Sequence, residues 1–253
     1  MRTDVNCLLG HWPFRKLYKN TLDDLAAVHR KHEIGAAYVA SLNAVFYNDP
    51  FEGDEELHEQ LRGTTYKHVL TVNPELPGWE RDILDGIARF SIRGVRIYSG
   101  YHGYALSGDS MRRLAGTLER HNLPLFVTLR MEDERLDYLF RPAPPDLDDL
   151  RKFLAAAGDR LPVVLLNIRY AELLHLQNEI LRKPNVLFDT SGLKDGLFVV
   201  EKLLHRFPAG KMLYGSQHPL YCLASTYLLV DRAEIDAHTK ERILGGNASV
   251  LEA

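Results

Sequence analysis

The segment RGVRIYSGYHGY, residues 93–104, decides the fold of this chain. It begins with a short apolar run, Gly94–Tyr98, which has the length of a β-strand and continues into a polar, glycine-flanked loop. A segment of helical period, Ser110–His121, follows, and a second apolar run, Leu125–Leu129, comes next. This order of strand, loop, helix and strand is typical of a parallel sheet whose strands are joined by crossover helices.

The same alternation runs through the whole chain. The predicted strands are Thr3–Leu9, Ala36–Ser41, Lys67–Val72, Gly94–Tyr98, Leu125–Leu129, Val163–Asn167, Val186–Thr190 and Lys211–Gly215. The predicted helices are Leu22–Lys31, Asp54–Leu61, Trp79–Arg89, Ser110–His121, Asp146–Ala157, Ala171–Leu181, Leu193–Arg206, Cys222–Val230 and Glu234–Leu244. A chain of 253 residues has the usual length of one eight-stranded barrel. We therefore predict an α/β fold, a single (β/α)8 TIM barrel that forms one domain over residues 1–253.

Composition narrows the range of partners. The 31 basic and 34 acidic side chains leave a net charge of −3 without long blocks of one sign, which argues against binding nucleic acid or an anionic membrane. No stretch approaches the ~20 apolar residues of a membrane span, and the N-terminus does not resemble a secretion signal. We expect a cytoplasmic protein in which Cys7 and Cys222 are buried free thiols, and the sequence leaves homo-oligomer formation open.

Polar residues stand at the ends of the predicted strands. The loops after the strands of such a barrel form the active-site face, so these side chains should meet at one mouth. The strand-end residues are Asn6, Arg96, Tyr98, Thr128, Arg130, Asn167, Asp189 and Gln217.

Seven segments carry a resemblance to a known family. In chain order they are DVNCLLG, RGVRIYSGYHGY, NLPLFVTLRMEDER, LPVVLLNIRY, KPNVLFDTSGL, MLYGSQHP and ERILGGNASVLE. In order and spacing the chain resembles the amidohydrolase-related branch of the amidohydrolase superfamily over almost its whole length. The resemblance implies a barrel that carries hydrolase chemistry at the ends of its strands.

The chain departs from the family where the family binds metal. The resemblance implies Asp-x-His-x-His in the first strand, but Asn6 and Leu8 replace the two histidines. Thr128, Asn167 and Gln217 replace the histidines of strands five and six and the aspartate of strand eight, and Arg96 stands where some relatives have a lysine. Zinc needs histidine, thiolate or carboxylate donors. We therefore predict no divalent metal at this position and no cofactor; His11, His102 and His218, which follow strands, keep open a relocated metal site.

Candidate residues follow from these positions. The catalytic candidates are His218 as first choice of base, Asp189 as second choice, and Gln217 in the place of the family's aspartate. The candidates for substrate binding are Asn6, His11, Arg96, Tyr98, His102, Thr128, Arg130 and Asn167. Arg96 and Arg130 have forked donors that suit a carboxylate or phosphate, with pairing to Glu132 or Asp133 as the alternative.

Two functions fit the sequence. The first is an amidohydrolase-like hydrolase of C–N or C–O bonds, similar to metal-independent lactonases, or a lyase, acting without a divalent metal on a small anionic substrate. The alternative is a catalytically silent barrel that binds a ligand or serves as a scaffold. A third possibility is a conventional zinc hydrolase with altered ligands, but the residues that would bind the zinc are missing from the chain. Because the lost metal ligands became polar residues, the sequence favours a retained binding pocket.

Overall fold

The strands of the protein form the wall of one barrel. A computed structural model describes residues 1–133, 136, 142–143 and 146–252. Its strands are β1 (Arg2–Leu9), β2 (Ile34–Ser41), β3 (Lys67–His68), β4 (Leu70–Thr71), β5 (Val95–Ile97), β6 (Leu125–Thr128), β7 (Val163–Leu166), β8 (Val186–Asp189) and β9 (Met212–Leu213). They pair in parallel in the orders β1-β2-β3 and β4-β5-β6-β7-β8-β9.

Backbone hydrogen bonds connect the two sheets on both sides. Only Val69 separates β3 from β4, and its N–H donates to the carbonyl of Val39 while the N–H of Leu70 donates to that of Gly94. On the other side the N–H of Val5 donates to the carbonyl of Tyr214 at 2.9 Å. The short β3 and β4 thus occupy the single strand position predicted at Lys67–Val72. The predicted (β/α)8 barrel is confirmed.

Helices follow the strands. They are α1 (Leu22–Lys31), α2 (Pro50–Leu61), α3 (Trp79–Asp85), α4 (Ser99–His102), α5 (Asp109–Arg120), α6 (Leu147–Ala156), α7 (Tyr170–His175), α8 (Gln177–Arg182), α9 (Val199–Leu204), α10 (Leu223–Asp231) and α11 (Ala237–Leu244). Short 3₁₀ segments cover Asn43–Val45, Ala209–Lys211 and Gly246–Glu252, and a π-helical turn covers Gly86–Phe90. None of the helices in the described part of the chain is long and apolar enough to cross a membrane.

Local sequence explains where some helices begin. Thr21 forms a capping box with Asp24 at the start of α1, and the Asp146 carboxylate accepts from the N–H groups of Asp148 and Asp149 at the start of α6. Both starts were predicted.

Two helix predictions and one prediction of burial were wrong. The helix predicted over Ala171–Leu181 is interrupted at Leu176, and the helix predicted from Leu193 begins only at Val199, because the Asp195–Gly196 pair favours a turn before it. Cys222, expected to be buried, is exposed. It precedes α10 as its N-cap, outside the face that this helix buries.

Side chains pack in two layers around the strands. The barrel interior contains Leu8, Tyr38, Tyr98, Phe126 and Val164, which belong to one apolar cluster. Outside β1 and β2, a second cluster contains Cys7, Leu9, Val39, Leu25 of α1 and Leu57 of α2. Neighbouring residues of β1 therefore face different layers, since side chains alternate along a strand.

Candidate functional site

Arg96 lies at the centre of a buried polar network inside the barrel. Its side chain rises from β5 and is 2% exposed. The guanidinium donates from Nε to Thr128 Oγ1 at 2.8 Å and from Nη1 to Asn6 Oδ1 at 2.9 Å. Its carbon lies 5.2 Å from the centre of the Tyr98 ring, a cation–π contact. Among the described residues Nη2 has no hydrogen-bond partner, which is costly for a buried donor.

Asn6 connects this cation to a carboxylate. While its Oδ1 accepts from Arg96, its Nδ2 donates to Asp189 Oδ2 at 2.8 Å and to Gln217 Oε1 at 3.0 Å, and lies 3.2 Å from Ser191 Oγ. The amide is completely buried. Asn6 therefore bridges two groups of opposite charge.

Asp189 is the titratable group of the network. It ends β8, it is fully buried, and its Oδ1 accepts from the backbone N–H of Asn167 at 2.8 Å. Burial raises the pKa of Asp189 to about 6, against the opposing effect of hydrogen bonds from Asn6, Ser191 and Asn167 and of the charge on Arg96. This carboxyl group can therefore gain or lose a proton close to neutral pH.

A glycine leaves space for that carboxylate. A Cβ on Gly215 would lie 2.2 Å from Asp189 Oδ2 and 2.9 Å from its Cβ. The position after β9 thus requires a residue without a side chain.

Gln217 and Asn167 fasten the segment after β6 with their side-chain amides. Gln217 Nε2 donates to the carbonyls of Met131 and Arg130 at 2.7 and 3.1 Å. Asn167 Nδ2 donates to Arg130 O at 2.9 Å and to Tyr221 OH at 3.0 Å. Both residues have φ of 56°, in the left-handed region. These two amides thus have a structural task that the sequence did not indicate.

Arg130 forms an ion pair with Glu172, a residue outside the predicted site. Its guanidinium binds both carboxylate oxygens of Glu172, from Nη1 at 2.9 Å and from Nη2 by a shorter contact, and Nη1 also donates to the carbonyl of Asn167. Glu132, one of the partners considered, accepts from Arg15 Nε at 2.6 Å. Bidentate pairing of this kind fixes the orientation of a guanidinium.

The three loop histidines lie apart from the network. His11 is exposed, and Nε2 of His102 donates to the carbonyl of Val45 at 3.0 Å while burial lowers the pKa of this histidine. His218 forms a parallel bridge with Cys7, so the two side chains leave the sheet on the same, outer side. Burial lowers the pKa of His218 to about 4. Its role as general base remains a prediction.

The donors inside the barrel do not fit a divalent metal. Asn6, Thr128, Asn167 and Gln217 offer amides and a hydroxyl, and the Arg96 cation lies among them. A guanidinium repels a cation and has no lone pair to give, and neutral amides are poor zinc ligands. Within the described ranges, one group of His, Cys, Asp or Glu ligand atoms converges, namely Asp4, Cys7 and His29, and none of the three loop histidines belongs to it.

Comparison with known proteins supports the fold. No protein-family model matches the sequence, and no curated protein is significantly similar to it. Solved structures do match. A candidate amidohydrolase from Staphylococcus aureus superposes with a TM-score of 0.76 at 10% identity, covering 100% of this chain and 99% of that one.

Two further structures have the same barrel. A dihydroxybenzoic acid decarboxylase from Polaromonas sp. JS666, with bound manganese and the inhibitor 2-nitroresorcinol, has a TM-score of 0.75 at 11% identity and covers 99% of this chain and 96% of its own. A probable 2-pyrone-4,6-dicarboxylic acid hydrolase from Acinetobacter baumannii, with citric acid bound, has a TM-score of 0.70 at 11% identity over 100% and 99%. The predicted resemblance to amidohydrolase-superfamily barrels is thus confirmed for the fold.

Proposed function

We propose that the barrel binds a small carboxylate-bearing molecule at Arg96 and acts on it as a hydrolase or lyase, without a divalent metal at the strand ends. The observation that carries this proposal is the buried Nη2 of Arg96, which has no partner in the described part of the chain. A carboxylate oxygen at Nη2 would complete the donor set of this guanidinium through a charge-assisted hydrogen bond.

The charge arrangement favours an anion over a neutral ligand. Arg96 and Asp189 are both buried, but the Asn6 amide stands between them. No direct contact with Asp189 therefore neutralises the positive charge at Nη2. Burial strengthens the attraction of this charge for an anion because little water screens it. Thr128 and Asn6 fix the direction in which the remaining nitrogen points.

The structural neighbours support the size and type of ligand. One is described as a decarboxylase of a dihydroxybenzoic acid, and another as a hydrolase of a pyrone dicarboxylic acid with citric acid bound. Both descriptions name small molecules with carboxyl groups on barrels of this shape.

We assign the proton-carrying role to Asp189 rather than to His218. The pKa of Asp189, about 6, allows it to accept a proton from attacking water in a hydrolysis, or to deliver one to carbon after loss of carbon dioxide in a decarboxylation. The His218 side chain lies on the outer face of β1, on the same side as Cys7. Arg96 would bind the substrate carboxylate and stabilise developing negative charge in either reaction.

Turnover of a substrate panel tests this proposal. We expect the wild-type protein to convert one member of a panel of aromatic carboxylates and carboxylated lactones, and both Arg96→Met and Asp189→Asn to lose this activity. Arg93→Met is the matched control because Arg93 precedes the same strand but is exposed. Activity that survives in Arg96→Met would contradict the assignment.

A catalytically silent barrel that binds a ligand is the second candidate, and two observations favour it. The amides of Gln217 and Asn167 are used to hold the segment after β6, and Asp189 is fully buried. This candidate expects Arg96-dependent binding of carboxylates with no turnover of any panel member. Binding and turnover are therefore measured on the same variants.

A further inference from the structure

A second cluster of reactive side chains lies outside the barrel, between β1 and α1. Asp4 and Cys7 come from β1 and His29 from α1, and all three are 0–1% exposed. His29 Nε2 is 3.7 Å from Cys7 Sγ and 3.6 Å from Asp4 Oδ2, and the three ligand atoms lie within 4.8 Å of one another. Three different donors thus converge on one buried point.

A bulge in β1 brings the two strand residues together. Residues three apart on a regular strand face opposite sides of the sheet. Here Asp4 pairs with Ala37 and Cys7 with Val39, so three steps of β1 oppose two steps of β2. The extra residue turns both side chains toward α1.

Hydrogen bonds among the described residues hold one oxygen of the Asp4 carboxylate but not the other. Its Oδ1 accepts from the backbone N–H groups of Asn6 and Ser216, each at 3.0 Å. Its Oδ2 is buried and has no hydrogen-bond partner among the described residues, although His29 is near. At 3.6 Å the two atoms are too far apart for a normal N–H···O hydrogen bond.

The spacings are also close to those of ligands that share one metal ion. With zinc bonds of about 2.3 Å to sulfur and about 2.0–2.1 Å to nitrogen and oxygen, a tetrahedral ion separates its ligand atoms by roughly 3.3–3.6 Å. The separations of 3.7 Å for sulfur and nitrogen and 3.6 Å for nitrogen and oxygen are close to these values.

His218 is a further donor on this side of the sheet, although its ring nitrogens do not lie within 4.8 Å of all three ligand atoms. It bridges Cys7 across the barrel seam, its side chain is on the same side of the sheet, and it is 4% exposed. Its Nε2 has no hydrogen-bond partner in the described part of the chain. Asp4 and His29 are among the charged groups that act on this ring.

We propose that Asp4, Cys7 and His29 bind one zinc-class divalent ion that fastens α1 to β1, and that the His218 ring moves toward them to complete the coordination. A thiolate, a carboxylate and two neutral imidazoles balance the charge of the ion, and binding releases the thiol proton of Cys7 to solvent. Four protein ligands close the coordination sphere, so the site is structural rather than catalytic.

The surroundings of His29 suit a metal ligand. The other ring nitrogen, Nδ1, lies 2.9 Å from Tyr66 OH, the kind of outer contact that orients a ligating imidazole. A surface cleft of ≈ 350 Å³, lined by His29, Tyr66, Leu22 and Thr65 among others, borders the cluster on the side of His29. Tyr66 is thus a positioning residue for the site.

Cobalt substitution tests the proposal. The full-length Cys222→Ser protein, which keeps Cys7 as its single cysteine, is stripped with a chelator and titrated with Co²⁺ alone. We expect a stoichiometric thiolate-to-cobalt charge-transfer band, strong d–d absorption of a tetrahedral ion, and competition by Zn²⁺. Tyr66→Phe should weaken binding by about 10–100-fold. Absence of the charge-transfer band would overturn the proposal.

Variants of the ligands assign the site. Cys7→Ser should lose the charge-transfer band, and His29→Gln and His218→Asn should each weaken Co²⁺ binding at least as much as Tyr66→Phe. Should Cys7→Ser fail to fold, the two histidine variants decide the matter. Binding unchanged in both, or a band that persists in folded Cys7→Ser, would contradict the assignment, and a Tm unaffected by Zn²⁺ would contradict the structural role.

Discussion

Arg96 and Asp189 face the same buried amide, with the guanidinium of Arg96 2.9 Å from Asn6 Oδ1 and the carboxylate of Asp189 2.8 Å from Asn6 Nδ2. The two charges are therefore coupled through Asn6 instead of neutralising each other in a direct contact. This arrangement leaves one nitrogen of Arg96 for a ligand and leaves Asp189 with a pKa near neutrality.

Anion affinity should depend on the protonation of Asp189. Below pH about 6 the carboxyl group is neutral and the site carries the full charge of Arg96, whereas above it the carboxylate offsets that charge. The affinity for benzenesulfonate, whose own charge does not change, should rise as the pH falls from 8 to 5. Isothermal titration calorimetry should show this trend in the wild type and a flat profile in Asp189→Asn; equal slopes would contradict the coupling.

The same carboxyl group should alter stability with pH. The pKa of Asp189 is raised in the folded protein from 3.8 to about 6, so its stabilising contribution is full below the unfolded value and is lost as the pH rises through 6. This shift corresponds to roughly 3 kcal/mol. The wild type should lose about that much stability between pH 4 and 7, and Asp189→Asn should not. Urea unfolding at the two pH values measures this change in the difference between their free energies of unfolding. A constant difference would contradict the raised pKa.

Gly215→Ala should destabilise the barrel through Asp189. The new Cβ would approach the carboxylate to 2.2 Å, and crowding of this kind typically costs about 1–3 kcal/mol. Replacing Asp189 by glycine in the same protein should relieve part of the loss, which a double-mutant cycle measures. Gly116→Ala in α5 is the control, because a Cβ there meets no other atom within 4 Å. Additive losses would show that the crowding lies elsewhere.

The Arg130–Glu172 pair should matter more than surface ion pairs. Both side chains are largely buried, at 7% and 15% exposure, so neutralising Glu172 takes a carboxylate away from a cation that little water can solvate. Glu172→Gln should therefore lower the free energy of unfolding by about 3 kcal/mol, the cost of breaking a buried pair. Asp148→Asn, which removes one of the partners of Arg151 in an exposed pair, should change it by under ~1 kcal/mol. Similar losses in both would contradict this ranking.

The sequence could predict the barrel and much of its polar network because both depend on periodicity. Strand-end residues of parallel strands meet at one face, and Asn6, Arg96, Thr128, Asp189, Asn167 and Gln217 do form connected hydrogen bonds. The sequence could not assign tasks within that network. Nothing in the chain indicated that the amides of Gln217 and Asn167 would hold the segment after β6.

Other features escaped prediction because they arise from long-range or irregular geometry. The cluster of Asp4, Cys7 and His29 depends on a bulge in β1 that alternation alone does not reveal. Glu172 lies in α7, which follows β7, and it meets Arg130 because Arg130 follows the neighbouring strand β6. Cys222 lies in an apolar run, but its place before α10 leaves it exposed.

The affinity of Arg96→Met for benzenesulfonate, measured by isothermal titration calorimetry beside Arg93→Met, tests the central claim most directly. One charge-assisted hydrogen bond contributes about 1.5–3 kcal/mol, so Arg96→Met should bind at least ~10-fold more weakly than wild type, and Arg93→Met should match the wild type. Wild-type affinity in Arg96→Met would contradict an anion site built on the free nitrogen of Arg96.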